Sequence, residues 1–372
     1  MSIKKRRKII MKGPKKVLYV VNIPSPYMVT FFNMLSKHVD LTVIFEKAYD
    51  HTRPSSWKEL DLKGFKHHIL KGISYTHEQI IPLNYKTYIK QPFDHIFIQN
   101  FFTPTGILTS RYLFKKKRAY TIVSEGGDIK QNKRFKETLK YQTVKNASSY
   151  VSSSMHTDLF LKHYGANKDH IIRYPFTSLH QHQILKKPID KEAKHELRNK
   201  YKVPQDLFII LSVGRLSKEK NHQYVIDNLN HVNRMYLFIL VGDGNEKNTL
   251  KALESIHHRY IKDLDSKTLF EYYQLADLFV LASTSEPWGL VVNEAMSQGC
   301  VVATSQYVNA SKELIHQKNG FIFDIHEPHA LTNLINHIDD DSLEDLQLQS
   351  LHTIQKYTIE HMVKVFNKVI DV

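Results

Sequence analysis

Short apolar runs alternate with helix-like stretches along almost all of the 372 residues. This alternation leaves little room for any architecture but an α/β one with parallel, doubly wound sheets. Runs at 17–22, 41–45, 95–99, 119–123, 150–152 and 171–174 read as strands, with helices near 27–37, 105–115, 133–146 and 155–164 between them. The stretch 175–188 holds Ser, His, Gln and two prolines with no clear period, and reads as a linker. A second series follows: a helix near 191–201, a strand at 208–213, a helix after Asn221, a strand at 236–241 and a helix after Asn245. Strands at 278–282, 301–304 and 320–323 complete it, and from about Ser342 the chain reads as helical and is expected to pack back on the first domain. The length is large for one hydrophobic core and natural for two domains.

Composition removes several function classes. Only 13 glycines occur, and the first strand-to-helix turn, Asn22 to Tyr27, has none, so the G-x-G-x-x-G turn of a dinucleotide-binding enzyme is missing. Gly242-Asp243-Gly244 is a fragment of that pattern and reads better as a tight strand-to-helix turn. One cysteine, Cys300, rules out an internal disulfide framework and a multi-cysteine zinc site, and its place before an apolar run reads as buried strand. No run of 18 apolar residues is present, and Ile9 to Met11 is too short for a signal peptide's apolar region. Cytoplasmic residence is therefore expected, at the inner face of the plasma membrane. The net charge is +15, concentrated at Lys4 to Lys8 with Lys12, Lys15 and Lys16, and at Lys115 to Arg118. Such a surface seeks anionic partners. Neither zinc-finger spacing nor an aromatic RNA-binding consensus is present, which argues against nucleic acid; an anionic membrane surface and a merely solvated basic face both account for the charge.

Two constellations carry chemistry. In the run from Phe279 to Gly299, a buried strand leads into a loop containing Glu286, then a helix with its first turn close to Glu294. On one continuous helix these acids would sit ~12 Å apart along the axis and roughly 80° apart around it. Pro287 and Gly289 instead put Glu286 in the loop, so both carboxylates can approach one cavity, with the unpaired N–H groups of a helix start between them. Hydroxyls at both ends of a ligand and a phosphate between them match this layout, as in a nucleotide sugar. The second constellation, Ser212 to Asn221, sets Arg215 and Lys220 on the loop after an apolar strand, the edge where open α/β sheets bind ligands. Arg215 has a fork for two phosphate oxygens, Lys220 a mobile charge, and Gly214 lets the backbone approach a ligand.

The order of Gly214-Arg215-Leu216 with Lys220, Val241-Gly-Asp-Gly244, Tyr272 to Asp277, Glu286 to Met296 and Asn319-Gly-Phe321 resembles glycosyltransferase family 4. The likeness is specific over about 208–323. In the first half it rests on strand order and on a weaker similarity to bacterial exopolysaccharide and capsule transferases, at Ser124-Glu-Gly-Gly127, Tyr164 to Asn167 and Tyr174 to Thr177. The resemblance implies a GT-B fold with two Rossmann-like domains facing a cleft. The expected division is a basic tail 1–16, an acceptor domain 17–180, a donor domain 181–350, and a helix 351–372 returning to the first domain. It also implies a retaining, metal-independent hexosyltransferase with no cofactor. Its substrates would be a nucleotide sugar, with uridine the commonest base among relatives, and a lipid-linked or polysaccharide acceptor. Arg215 and Lys220 would then hold the donor diphosphate, Glu286 the transferred sugar, and Glu294 the ribose hydroxyls. Gly214, Pro287, Trp288, Gly289, Leu290 and Val291 would line the donor, with backbone N–H groups from Gly289 to Val291 meeting its oxygens.

Two departures from the family pattern matter. A histidine common after a first-domain strand is replaced by Ser124-Glu125; Glu125 either takes part of that role at the sugar or acceptor, or is a surface or capping acid. The first loop, Pro24-Ser25-Pro26-Tyr27, replaces flexible glycines and should give a stiffer acceptor side. The 22 histidines show no ligand spacing, and Asp339 to Asp341 reads as a solvated capping cluster rather than a metal site. Tyr272 and Tyr273 fit helix packing, with base stacking a weaker alternative; Trp57 is either an acceptor contact or partly buried. Two other readings stay open: a catalytically silent GT-B partner subunit, and a sugar-nucleotide epimerase of the same fold, which the spacing around Glu286 and Glu294 suits less well.

Overall fold

The computed structural model describes residues 13–50, 55–76, 79–127 and 135–371. The basic run Lys4 to Lys8 and Lys12 lie outside these residues. The first sheet contains, in chain order, β1 (Lys16–Val21), β2 (Asp40–Phe45), β3 (Lys66–Ile69), then β6 (His95–Ile98), β7 (Thr121–Ser124), β8 (Ser149–Ser152) and β9 (Ile171–Arg173). A separate antiparallel hairpin, β4 (Gly72–Ser74) and β5 (Ile80–Pro82), interrupts that series. The second sheet holds β10 (Phe208–Val213), β11 (Tyr236–Val241), β12 (His258–Ile261), β13 (Leu278–Leu281), β14 (Val301–Ser305) and β15 (Gly320–Phe323).

All pairings in both large sheets are parallel, in the orders β3-β2-β1-β6-β7-β8-β9 and β12-β11-β10-β13-β14-β15. Helices cover both faces, so central strands need no polar side. Along β10 and β11, in register from Phe208↔Tyr236 to Val213↔Val241, every side chain is buried. Strand order reverses at β1 in the first sheet and at β10 in the second, which opens a crevice at the carboxyl edge between β1 and β6 and between β10 and β13. At the opposite, amino edge Asp277 fixes the pairing of β10 with β13: its carboxylate accepts from Ile209 N–H and from Arg198, both at 2.7 Å, binding the start of β13 to β10. Cys300 is buried immediately before β14.

The helix Leu343–Ile354 packs on the second domain, with Leu351 against Gly299. The chain then crosses, and the helix Ile359–Asp371 lies on the first domain. Its Phe366 ring contacts Phe31 (4.8 Å between centroids), Phe97 (5.1 Å) and Tyr174 (5.4 Å). A fully buried phenylalanine in such a cluster contributes about 3–5 kcal/mol against alanine.

Candidate functional site

The two crevices face one another. Gly126, just after β7, has φ +126°, and a Cβ there would stand 2.7 Å from the Pro287 carbonyl oxygen of the second domain. Asn293 Nδ2 donates to the Phe176 carbonyl at 3.1 Å and Met155 N–H to Glu313 at 3.0 Å, further links between the halves.

On the second domain, Lys220 ends a short 3-10 turn after β10, followed by Asn221 at φ 56°, a left-handed residue that redirects the chain into the helix His222–Leu229. Its ammonium contacts the Glu286 carboxylate, so the acid after β13 and the cation after β10 meet over the switch point. The Glu286 loop is pinned on both sides: Thr284 N–H donates to the Glu219 carbonyl (2.8 Å), Glu286 N–H to Tyr307 (3.2 Å), and Ala310 N–H to Trp288 (2.9 Å). Arg215 is exposed, and its side chain makes no hydrogen bond or ion pair among the described residues. Gly214 donates to the Val241 carbonyl, and the Gly242 turn packs on it so closely that a Cβ at Gly242 would be 1.9 Å from the Gly214 oxygen. The Gly-Asp-Gly segment is thus a packing turn, as its sequence suggests. Behind Lys220, His222 is buried and burial pushes its imidazole down to about 4, so it adds no charge to the site.

The helix Leu290–Ser297 begins at Gly289 (φ 102°) with no side-chain cap, leaving its first N–H groups for an incoming anion. It starts four residues before Glu294, so this acid lies a turn deeper than the sequence suggests. Pro287 and Gly289 point to the loop in the sequence, but not to a helix beginning so promptly. Glu294 accepts from Ser178 Oγ and Tyr273 OH, each at 3.3 Å, and burial pushes its carboxyl up to about 7. Tyr273 is itself buried, its ring 5.6 Å from Phe279, so it contributes its hydroxyl and no stacking face. Trp288 is also buried, edge-on to Phe176 (5.5 Å) with Nε1 donating to Asn293 (2.8 Å), so its ring packs the base of the loop rather than facing a donor. Leu290 and Val291 are half-buried at the helix start.

The first domain supplies a polar cluster that sequence reading finds only in part. Gln99 Nε2 (2.5 Å) and Tyr27 OH (3.3 Å) both donate to Glu125 Oε1, and Tyr19 OH donates to Gln99 Oε1 (2.8 Å). Glu125 and Gln99 directly follow β7 and β6, Tyr19 lies within β1 and Tyr27 on the helix after it, and they converge because those strands flank the switch point. Oε2 of Glu125 accepts nothing among the described residues. Among the described residues no cation faces the group, and burial raises its carboxyl to about 7 against the two hydrogen bonds. Gln99 carries no motif in the sequence; its position just after a strand was the available signal. In the first loop Pro24 and Ser25 are buried, while Pro26, at the first turn of the helix Pro26–Leu35, is exposed and Tyr27 half-buried. No group of three or more metal-ligating side chains occurs among the described residues; Asp339 caps a 3-10 turn and Asp340 pairs with Arg234.

Residues 193–361 match the family model described as glycosyl transferases group 1. The chain is 26% identical over 157 residues to the D-inositol 3-phosphate glycosyltransferase of Xylanimonas cellulosilytica, covering 40% of this chain and 38% of that protein. It is 30% identical over 186 residues to the O-antigen biosynthesis glycosyltransferase WclY of Escherichia coli, covering 48% and 51%. The chain therefore spans about half or less of these curated relatives. Among solved structures it is similar to Anabaena Alr3699/HepE in complex with UDP, with a TM-score of 0.78 at 15% identity over 96% of this chain and 99% of that one. The complex of the same protein with UDP-glucose aligns at a TM-score of 0.72 and 17% identity, over 96% and 100%. The fold is GT-B, and the second domain carries the group 1 glycosyltransferase pattern.

Proposed function

We propose that the protein is a retaining, metal-independent glycosyltransferase that moves a hexose from a nucleotide-diphosphate sugar, with UDP the favoured nucleotide, to a lipid-linked or polysaccharide acceptor in cell-surface glycan synthesis. The observation that carries this is the meeting of Lys220 and Glu286 beside an uncapped helix start and an exposed Arg215. Lys220 and Arg215 bind the diphosphate. Glu286 holds hydroxyls of the sugar, and Glu294 those of the ribose. As the bond from sugar C1 to diphosphate oxygen breaks, a new one forms to the acceptor oxygen, and the acceptor proton leaves with the diphosphate, whose freed oxygen has become basic. Cations and N–H dipoles already aimed at that charge lower the barrier; one such donor is worth roughly 10²–10³ in rate. Glu125 Oε2 takes the acceptor hydroxyl and orients it. The similarity to a D-inositol 3-phosphate glycosyltransferase and to an O-antigen biosynthesis glycosyltransferase supports this class of chemistry.

A panel of sugar nucleotides with membrane extract as acceptor tests the proposal. Release of nucleoside diphosphate from one donor supports it. Release from none favours a silent partner subunit, a reading helped by Glu125 standing where the family pattern that the chain resembles would have histidine. The site of action we propose is the inner membrane face. Among the described residues no helix is long and apolar enough to cross a membrane, so contact would be peripheral.

A further inference from the structure

The hairpin β4–β5 has two unlike faces. Ile80 is buried with Ile44, Leu70 and Ile96, and Pro82 is buried beside it. On the other face Ile73 pairs directly with Ile81, and both are open to solvent, 62% and 43% exposed. The ladder continues at both ends, Tyr75 N–H to the Gln79 carbonyl and Leu83 N–H to that of Lys71, each at 2.9 Å. By two-residue alternation Tyr75 (46% exposed) and Leu83 (71%) join the outer face. Phe135, 76% exposed, begins the neighbouring helix, whose Lys136 reaches the Tyr75 hydroxyl at 2.8 Å. Five large apolar side chains thus lie open on one rim of the first domain. Singly exposed hydrophobic residues need no explanation, but a contiguous group does.

Charge points to the occupant. Lys71, Lys86 and Lys90 lie in and just after the hairpin, Glu78 is the one acid between 71 and 90, and Lys47 and Lys136 are tied to Thr76 and Tyr75. We infer that this hairpin face is a docking surface for an anionic lipid bilayer, its apolar side chains entering the interface while the lysines meet headgroups. The hairpin is fixed to the active rim. Ile80 N–H donates to Glu46 Oε2 (3.2 Å) and Thr103 Oγ1 to Glu46 Oε1 (2.7 Å), and Glu46 follows β2 at the carboxyl edge that also bears Tyr27 and Glu125. Docking there brings a lipid-linked acceptor to the cleft, a use that rests on the proposed transfer reaction; the binding itself does not. The basic run Lys115 to Arg118 sits at the far end of the helix Pro104–Lys115, and its Arg118 is engaged with the Ile89 and Gln91 carbonyls.

The full chain is mixed, without sugar nucleotide, with phosphatidylcholine vesicles and with vesicles that also contain phosphatidylglycerol. The expected result is salt-sensitive binding to the anionic vesicles, reduced at least about tenfold in Ile73→Ser/Leu83→Ser. Because Cys300 is buried, Leu83→Cys offers a single accessible thiol for an environment-sensitive dye, which should report a less polar setting on vesicle addition, whereas a dye at Met235→Cys on the second domain should not. Equal vesicle binding by the serine variant, or an unresponsive dye at position 83, overturns the inference. So does light scattering that shows a wild-type dimer split to monomers by the serine substitutions, since the face would then belong to a second copy. These readouts involve no glycosyl transfer, so failure here and failure of the proposed reaction are told apart.

Discussion

Lys220 and Glu286 come from turns 66 residues apart and meet where the order of the second sheet reverses. The cation proposed to grip a diphosphate is paired with the acid proposed to grip the sugar. Lys220→Ala is expected to reduce transfer at least about 10²-fold. Glu286→Gln frees Lys220, so UDP affinity should hold or rise while turnover falls by a similar factor. Calorimetric UDP titration beside steady-state kinetics checks the split; parallel loss of both in Glu286→Gln contradicts these roles.

Arg215 is exposed and makes no hydrogen bond or ion pair among the described residues, so its removal strands no buried partner. Arg215→Ala should change stability by less than about 0.5 kcal/mol yet weaken UDP binding markedly, with Arg215→Lys recovering only part because a point charge cannot bridge two oxygens. Thermal melts and UDP titration on the same samples decide this.

The close approach of Gly126 to the Pro287 carbonyl limits how near the domains can come. In Gly126→Ala the added Cβ meets that oxygen at 2.7 Å, and φ +126° is also unfavourable for alanine. Transfer should fall sharply while UDP binding, proposed above for the second domain, stays near normal. Small-angle scattering with and without UDP should show the variant more open than the wild type.

Glu125 and Glu294 both have carboxyls raised to about 7 by burial, from an ordinary value of 4.5. Between these values the folded state holds more protons than the unfolded one. Each therefore contributes stability that is present at low pH and lost as pH rises toward 7, at most roughly 3 kcal/mol per group. His95 and His222, both lowered to about 4, act in the opposite sense, so the comparison must be between variant and wild type. Glu294→Gln should be more stable than wild type at pH 8, with no such gain at pH 4, by urea unfolding. Donor affinity in the wild type should rise through pH 7 as Glu294 ionises and accepts ribose hydroxyls.

Chelation gives a separate check. With diphosphate charge met by Lys220, Arg215 and a helix start, EDTA should leave transfer unchanged; loss restored by Mg²⁺ would place a metal in the donor complex.

Much of the fold can be read from the sequence because its central strands are buried on both faces and so appear as unbroken apolar runs, as at Phe208–Val213. Two of the four edge strands of the large sheets are not legible for the same physical reason. Lys66–Ile69 and His258–Ile261 are partly open to solvent and carry Lys, His and Arg, so no run marks them. The site shows a similar division. Arg215, Lys220, Glu286 and Glu294 are announced by strand-loop-helix punctuation. Gln99, Ser178 and Tyr273 matter only because distant strands and the linker bring them to a carboxylate, a relation no local pattern encodes.

The helix carrying Phe366 follows the whole second domain in the chain, yet it closes a pocket lined by Tyr19, Phe31 and Phe97. During synthesis the first domain emerges early with that aromatic seam bare, and it stays bare until some 180 further residues have left the ribosome. Its native burial is then a late event, reached together with the mature pairing of the two lobes, so a truncation before residue 359 would strand an otherwise complete amino-terminal lobe as a sticky, aggregation-prone intermediate.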